Sequence, residues 1–334
     1  MARKQFSHKY VEIISFENLL QAWREFVSGK RSRKDVQDFE RDLMTNLTTL
    51  HLDLVSKNYR HSEYTAFNIS DPKPRRIHKA VVRDRVLHHA LYRILYPFFA
   101  ATFIDDSFSC QNGKGTHKAI NRFRALAFKV SKNHTRTCWV LKCDIKKFFA
   151  SINHQTLLDI LRSYIPDQDI IDLLKKIIYS FELYPGNGLP LGNLTSQLFC
   201  NVYMNEFDQF VKHRLKVKRY IRYADDFVFL SENKVELEQL IPKISDFLEI
   251  KLGLKLHPDK VYIKSIASGV DFLGWVHFLD HRVLRKITRR RMFKRIYKNL
   301  SNETFQSYLG LISHGNTCRI KQELLNWQGS LAKD

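Results

Sequence analysis

Apolar positions recur at helical spacing through residues 17–26 and again through residues 36–54, where Val36, Phe39, Leu43, Leu47, Leu50 and Leu54 share one side. Both stretches read as amphipathic helices. Between them Ser28-Gly29-Lys30-Arg31-Ser32-Arg33-Lys34 is a basic loop, either a solvated connector or a phosphate contact. Residues 59–82 carry strand-like segments, but Pro72 and Pro74 in Asp71-Pro72-Lys73-Pro74 remove ladder donors, which predicts two strands joined by a turn. Lys73, Arg75 and Arg76 are presented near that turn. Arg83-Asp84-Arg85 then opens a helix through Leu91 and Leu95, with Asp84 placed to complement its dipole. Asn112-Gly113-Lys114-Gly115-Thr116 has the glycines of a turn before a helix over 117–128. It lacks the length and the Gly-Lys-Ser/Thr ending of a P-loop, which argues against an ATPase.

The period changes at Cys138-Trp139-Val140-Leu141-Lys142-Cys143, an apolar strand that ends in Asp144 and turns toward Ile152 and a helical stretch. It changes again at Tyr220-Ile221-Arg222-Tyr223-Ala224-Asp225-Asp226-Phe227-Val228-Phe229-Leu230, two strand-forming runs joined by adjacent acids. This predicts a β-hairpin with Asp225 and Asp226 at its tip. Adjacent carboxylates repel, so such a tip is either a solvated turn or a cation site. Asp144, ending a strand, can join the pair. Three oxygen donors suit Mg²⁺ and a two-metal phosphoryl transfer, in which a 3′-hydroxyl attacks and pyrophosphate leaves.

Length and charge narrow the classes. The 334 residues, 44% of them hydrophobic, suit two or three packed subdomains. Lys and Arg number 55 against 34 Asp and Glu, and the resulting +21 recruits polyanions, nucleic acid before an anionic membrane because the charge is spread along the chain. Five irregularly spaced cysteines make no disulfide framework and suggest a reducing, cytoplasmic setting. His134, Cys138 and Cys143 invite a zinc reading, but no Cys-x-x-Cys supplies the remaining ligands, and buried free thiols account for the two cysteines. Met1-Ala2-Arg3-Lys4-Gln5 has no apolar signal core, and the apolar run 90–104 carries Arg93 and Pro97, so neither a signal nor a membrane span is expected.

Tyr223-Ala224-Asp225-Asp226, the Asp-x-x-x-x-Phe of Asp144 to Phe149, and Phe272-Leu273-Gly274-Trp275 resemble the ordered motifs of reverse transcriptases. Gly188-Leu189-Pro190-Leu191-Gly192-Asn193-Leu194-Thr195-Ser196-Gln197, Lys73-Pro74-Arg75-Arg76-Ile77 with Arg83-Asp84-Arg85, and Gly113-Lys114-Gly115-Thr116-His117 resemble the diversity-generating retroelement branch. Gly29-Lys30-Arg31, Ser307-Tyr308-Leu309-Gly310 and His314 fall where that branch has similar residues. The resemblance implies an α+β right-hand polymerase with an antiparallel palm sheet. Its parts would be a helical N-terminal extension (1–58), fingers with part of the palm (59–140), a palm with an interleaved fingers segment 155–188 (141–275), and a basic thumb (276–334).

The resemblance also implies roles. Asp144, Asp225 and Asp226 would hold Mg²⁺, with Mn²⁺ as an alternative, and Lys260 in Leu256-His257-Pro258-Asp259-Lys260 would act as a general acid near the triphosphate, where a plain surface lysine is the alternative. Arg75 and Arg76 would clamp the incoming dNTP, where plain solvated surface is the alternative. Phe149 would bar a ribose 2′-hydroxyl, or it is simply core. Many reverse transcriptases have Gln where this chain has Leu191 and Pro where it has Gln197. Leu191 offers bulk without a hydrogen bond beside Gly192, which implies poor fidelity, at adenine in that branch. Phe272, Leu273, Gly274 and Trp275 would grip the primer. Residues 282–298 hold nine basic residues and no acid, with Val283, Leu284, Ile287, Met292, Phe293, Ile296 and Tyr297 as an apolar stripe, so they read as a thumb helix whose Arg285, Arg289, Arg290 and Lys294 meet phosphates. The implied partners are a template RNA, the nascent cDNA and a small basic accessory variability-protein oligomer, in a bacterial or phage setting. No zinc finger, endonuclease motif or maturase extension follows, and no Val-Thr-Gly triplet appears, which weakens group II intron and retron readings. Another bacterial reverse transcriptase, or a non-catalytic nucleic-acid-binding protein, remains the alternative.

Overall fold

The computed structural model describes residues 4–70, 74–298 and 301–331, so Met1, Ala2, Arg3, Pro72 and Lys73 lie outside the described residues. In chain order the elements are α1 (Tyr10–Ile14), α2 (Phe16–Val27), α3 (Lys34–Arg41), α4 (Leu43–Val55), β1 (Thr65–Ile69), β2 (Arg75–Lys79), α5 (Val82–Ala100) and α6 (Thr116–Val130). Then come β3 (Trp139–Asp144), α7 (Phe148–Ser151), α8 (His154–Arg162), α9 (Gln168–Ile178) and α10 (Leu194–Gln209), which continues into a π-helical turn over Phe210–Arg214. The last third holds β4 (Tyr220–Tyr223), β5 (Asp226–Ser231), α11 (Lys234–Leu252), β6 (Tyr262–Ser265), β7 (Val270–Phe272), β8 (Trp275–His277), β9 (Arg282–Leu284), α12 (Lys286–Lys298), α13 (Asn302–Ile312) and α14 (Cys318–Leu331). Among the described residues no helix is long and apolar enough to cross a membrane.

The chain divides into two compact units, each assembled from separated stretches: 1–105, 145–216 and 244–257 in the first, and 106–144, 217–243 and 258–334 in the second. In the first unit α2 packs on α5, burying Leu19, Trp23 and Phe26 together with Val86, Leu87 and Leu91. Ser15 caps α2 by accepting from the Asn18 N–H. The single helix expected over 36–54 is two. Asp42 leaves helical geometry at φ −117° and ψ 40°, and Asn46 Nδ2 donates at 3.0 Å to the Phe39 carbonyl, which a continuous helix would have given to Leu43. Asp84 does more than complement the dipole of α5. It is fully buried, accepting from Tyr59 Oη and from the Ser62 N–H, both at 2.9 Å.

The hairpin β1–β2 lies in the first unit, with Phe67 opposite Ile77 and Asn68 opposite Arg76. The His78 N–H donates at 3.0 Å to the Leu191 carbonyl, tying the loop before α10 to β2. Gly192 is required at that junction. Its φ is +113°, and a Cβ there would come within 2.8 Å of Ile77 Cγ2.

The second unit is built on an antiparallel sheet of strand order β4-β5-β3-β6. Helix α6 covers one face, packing Ala119, Phe123, Leu126 and Ala127 against Val140, Ile221, Val228 and Leu230. Pairing sets Val140 against Leu230, Lys142 against Val228 and Asp144 against Asp226, so all six side chains share the face that α6 covers. That face is apolar beneath α6 and becomes ionic toward the end of β3. A second sheet, β7-β8-β9, leads to α12, whose Met292 and Ile296 join Trp275, Leu284, Phe305, Ile312 and Leu324 in a separate core. The segment 282–298 is therefore not one helix. Val283 and Leu284 belong to β9, and Ile287 and Tyr297 are exposed, leaving a narrower apolar stripe than the sequence suggested.

Candidate active site

The hairpin β4–β5 pairs Tyr223 with Asp226, so its two-residue turn is Ala224-Asp225. Only Asp225 stands on the turn. Asp226 opens β5, because Ala224 takes a left-handed φ of +55° and closes the chain one residue earlier than expected. This backbone is held from below by Arg222. Its guanidinium is fully buried and donates to the Ala224 carbonyl at 3.2 Å and to Ser107 Oγ at 2.9 Å. The Arg222 N–H donates to the Asp106 carbonyl, and the Arg222 carbonyl accepts from the Phe108 N–H, both at 3.0 Å. Asp106 in turn pairs with Arg122 at 2.7 Å.

Asp144 faces Asp226 directly across the β3–β5 ladder. Two lysines answer them. Lys260 Nζ lies 3.0 Å from Asp144 Oδ1, and Lys142 Nζ lies 3.4 Å from Asp226 Oδ2. Burial pushes the Asp226 carboxyl up to about 7; the Lys142 ammonium opposes that rise, and the neighbouring Asp144 and Asp225 add to it. Asp226 Oδ1 is buried with no hydrogen-bond partner. A hard cation would satisfy that oxygen and cancel the mutual repulsion, so the donor set fits Mg²⁺. As placed, no three Asp, Glu, His or Cys side chains among the described residues form a ready-made ligand cluster, and the two ammoniums supply the countercharge. Behind Asp144, Cys143 is fully buried and its thiol is pushed up by burial, while Cys138 rises to about 12 for the same reason. Both behave as core residues.

The remaining expected residues fall in two groups. In the first unit Arg75 and Arg76 are exposed on β2 and line an open concavity with Asn68, Ile69, Ser70 and Pro74. Phe148 is buried while Phe149 is half-buried on α7, and the Phe149 carbonyl accepts from the Leu189 N–H at 2.8 Å. Leu191 is half-buried, Gly192 is exposed, and Gln197 lies half-buried in the first turn of α10. In the second unit Leu273 and Gly274 form the β7–β8 turn at φ +51° and +87°, whereas Phe272 and Trp275 are buried in the two cores. The turn is thus the part of that tetrad that can meet a ligand. Arg285 pairs with Asp271 and Arg289 with Glu323, while Arg290 and Lys294 are exposed on α12.

Sequence reasoning passed over Lys142 and Arg222. Each left a signal: a single cation inside an otherwise apolar strand, which burial permits only beside a partner.

The sequence profile of the family described as reverse transcriptase (RNA-dependent DNA polymerase) matches residues 70–277. Protein YkfC of Escherichia coli K12 is 27% identical over 288 residues, covering 74% of this chain and 73% of that protein. The group II intron-encoded protein LtrA of Lactococcus lactis is 23% identical over 279 residues, and the match spans 63% of this chain but only 45% of LtrA. Among solved structures, apo telomerase from Candida tropicalis aligns with a TM-score of 0.49 at 13% identity over 71% of this chain and 59% of that one.

Proposed function

The chain belongs to the reverse transcriptase (RNA-dependent DNA polymerase) family, and from that premise we propose that it extends a DNA strand on an RNA template by nucleotidyl transfer at Asp144, Asp225 and Asp226. The observation that carries this reading is the pairing of Asp144 with Asp226 across one ladder, with Asp225 on the adjoining turn. In the reaction the primer 3′-oxygen forms a bond to the α-phosphorus, the α–β bond breaks, and pyrophosphate departs. Mg²⁺, or Mn²⁺ in its place, would be held by the three carboxylates, and its chemistry is activation of the hydroxyl and neutralisation of the leaving group.

The protein's own groups set the rest. Lys142 keeps Asp226 able to ionise in a buried position. Lys260, whose ammonium reaches Asp144, is a general acid for the departing pyrophosphate. Arg75 and Arg76 hold the triphosphate of the dNTP, Phe149 excludes a 2′-hydroxyl, and Leu273-Gly274 with Arg290 and Lys294 touches primer and template.

Within the family, mutagenic copying of a template-repeat RNA in a diversity-generating retroelement is supported by Leu191 and Gln197 in place of the usual Gln and Pro, and by Gly113-Lys114-Gly115. A small basic accessory variability-protein oligomer would then be its partner. The similarity to LtrA favours a second reading, an intron-associated enzyme. A template and variable repeat pair in the neighbouring DNA distinguishes the first from the second.

Primer extension on an RNA template tests the activity. Wild type extends only with Mg²⁺ or Mn²⁺, and Asp144→Ala or Asp225→Ala lowers the rate about a thousandfold or more with template binding retained. Substantial extension by either variant sinks the assignment.

A further inference from the structure

Gly113-Lys114-Gly115 has the glycines of a phosphate loop, but its lysine turns inward. Gly113 takes φ +70° and Gly115 φ +129°, and no heavy atom lies within 4 Å of where a Cβ of either would stand. The glycines therefore serve the path of the chain, which folds Lys114 back over the segment before it. Lys114 Nζ donates at 3.0 Å to the Ser107 carbonyl and lies 5.6 Å from the centre of the Phe108 ring. A phosphate loop keeps its lysine for the ligand, whereas this ammonium is committed to the protein's own backbone.

Ser107 connects that loop to the acidic hairpin. It is fully buried and bound at both of its oxygens. Gln111 Nε2 donates at 2.9 Å to its carbonyl and to its Oγ, and Arg222 Nη2 donates at 2.9 Å to the same Oγ. The backbone there runs parallel to β4, with Ser107 bridged to Arg222. From Arg222 the chain of contacts goes on to the turn, since Nη1 donates at 3.2 Å to the Ala224 carbonyl. Ala224 holds φ +55° and precedes Asp225. A residue other than glycine keeps that backbone only where its surroundings fix it, so the hydrogen bond on its carbonyl helps decide where Asp225 points. Thr116 Oγ1 gives the loop a second hold on the hairpin by donating at 3.1 Å to Tyr223 Oη, one residue before the turn.

We propose that Lys114 and Ser107 are positioning residues for the Asp225 carboxylate, acting through Arg222 on the Ala224-Asp225 turn. The loop thereby sets how tightly the three acids hold a divalent cation, and it binds no phosphate. Groups that orient a ligating side chain without touching the ion govern its affinity by about tenfold to a hundredfold, and less as the number of intervening contacts grows. The inference rests on the polymerase reading, because it takes Asp225 as a metal ligand.

Mn²⁺ binding by the full chain, without primer, template or dNTP, is measured by electron paramagnetic resonance beside the Mg²⁺ dependence of primer extension. Lys114→Met keeps the stem and removes the donor. It weakens Mn²⁺ affinity, and raises the Mg²⁺ concentration for half-maximal extension, by about fivefold. Ser107→Ala strips an acceptor from buried Arg222 and shifts both by about tenfold or more. Lys114→Arg restores a cationic donor and returns both to within about twofold of wild type. KM for dNTP at saturating Mg²⁺ stays within about twofold throughout, a combination that a merely loosened fold does not give. Wild-type Mn²⁺ affinity in Lys114→Met overturns the proposal whatever becomes of Ser107→Ala, and loss of folding in Lys114→Met overturns it by making the loop structural. So does a raised KM for dNTP at unchanged Mn²⁺ affinity, because the loop would then hold a phosphate. If Mn²⁺ affinity falls in the variants as expected but the wild type never extends a primer, the positioning stands and the polymerase reading is defeated.

Discussion

In the second unit three carboxylates are brought together by one sheet, two of them consecutive in sequence, whereas in the first unit Lys30, Arg33, Lys79 and Arg85 reach one cavity of about 220 Å³ from three separate stretches. Both clusters carry excess charge of one sign and both are partly neutralised within the protein, by Lys142 and Lys260 in one and by Asp35 in the other. The neutralising is incomplete in each. Asp226 Oδ1 and, in the cavity wall, Asn193 Nδ2 are buried without partners, so each cluster leaves one polar atom unmet.

The largest effect that would break this comparison is in the pH dependence of stability without divalent ions. Burial raises Asp226 from 3.8 to about 7, so between those values the folded chain binds the proton that the unfolded chain releases. Stability therefore falls as pH rises through that window, by about 1.4 kcal/mol per pH unit. His88 behaves in the opposite sense. Burial, helped by His61, lowers it from 6.5 to about 3, so the unfolded chain binds the extra proton and stability falls as pH drops below about 6.5. Urea melts should show Asp226→Asn flattening the first limb and His88→Gln the second. A variant that leaves its limb unchanged removes that group from the account.

The next effect concerns sugar selection, which neither charged cluster supplies. Phe149→Ala should admit ribonucleotides, raising their use relative to deoxynucleotides on the order of tenfold to a hundredfold. Competition between the two in primer extension measures it, and unchanged discrimination places the gate elsewhere. Smaller still is the contribution of exposed cations. Neutralising Arg290 and Lys294, which stand exposed on α12, should flatten the salt dependence of template-primer binding by roughly 1.4 to 1.8. An equal slope with lost folding would make α12 structural.

The carboxylate site was legible because strand periodicity and adjacency fix it locally: Asp144 ends an apolar run, and Asp225-Asp226 sits between two others. The expected α+β right-hand polymerase class holds with the family, and the antiparallel sheet that carries the acids is present. The break at Asp42 was hidden because one interrupting residue leaves the apolar stripe of 36–54 nearly in phase. Lys142 was hidden by its neighbours, since a strand of that composition reads as core until the register sets it diagonally from Asp226. The cavity as a whole could not be read, although its loop over 28–34 reads as either a connector or a phosphate contact. Its residues are distant in sequence, and individually each is an ordinary surface cation or a helix cap.

The smallest expected effect lies next to that cavity, at Leu191, two residues before Asn193. Its carbonyl is taken by the His78 N–H at 3.0 Å, so the backbone there is fixed and only the side chain is free to vary in function. Under the proposed reading leucine would give the nascent base pair apolar bulk, pressing equally on matched and mismatched geometries, whereas a glutamine amide could reward one alignment over another. Leu191→Gln should therefore lower misincorporation, most visibly opposite template adenine. A net hydrogen bond contributes on the order of 1 kcal/mol, which corresponds to a several-fold change in the error ratio and not a thousandfold one. Sequencing cDNA made by wild type and variant on one adenine-containing template measures it. If the variant extends primers normally and the adenine error rate does not move, infidelity arises from other residues of the pocket or is not a property of this enzyme, and the retroelement reading loses the support it draws from Leu191.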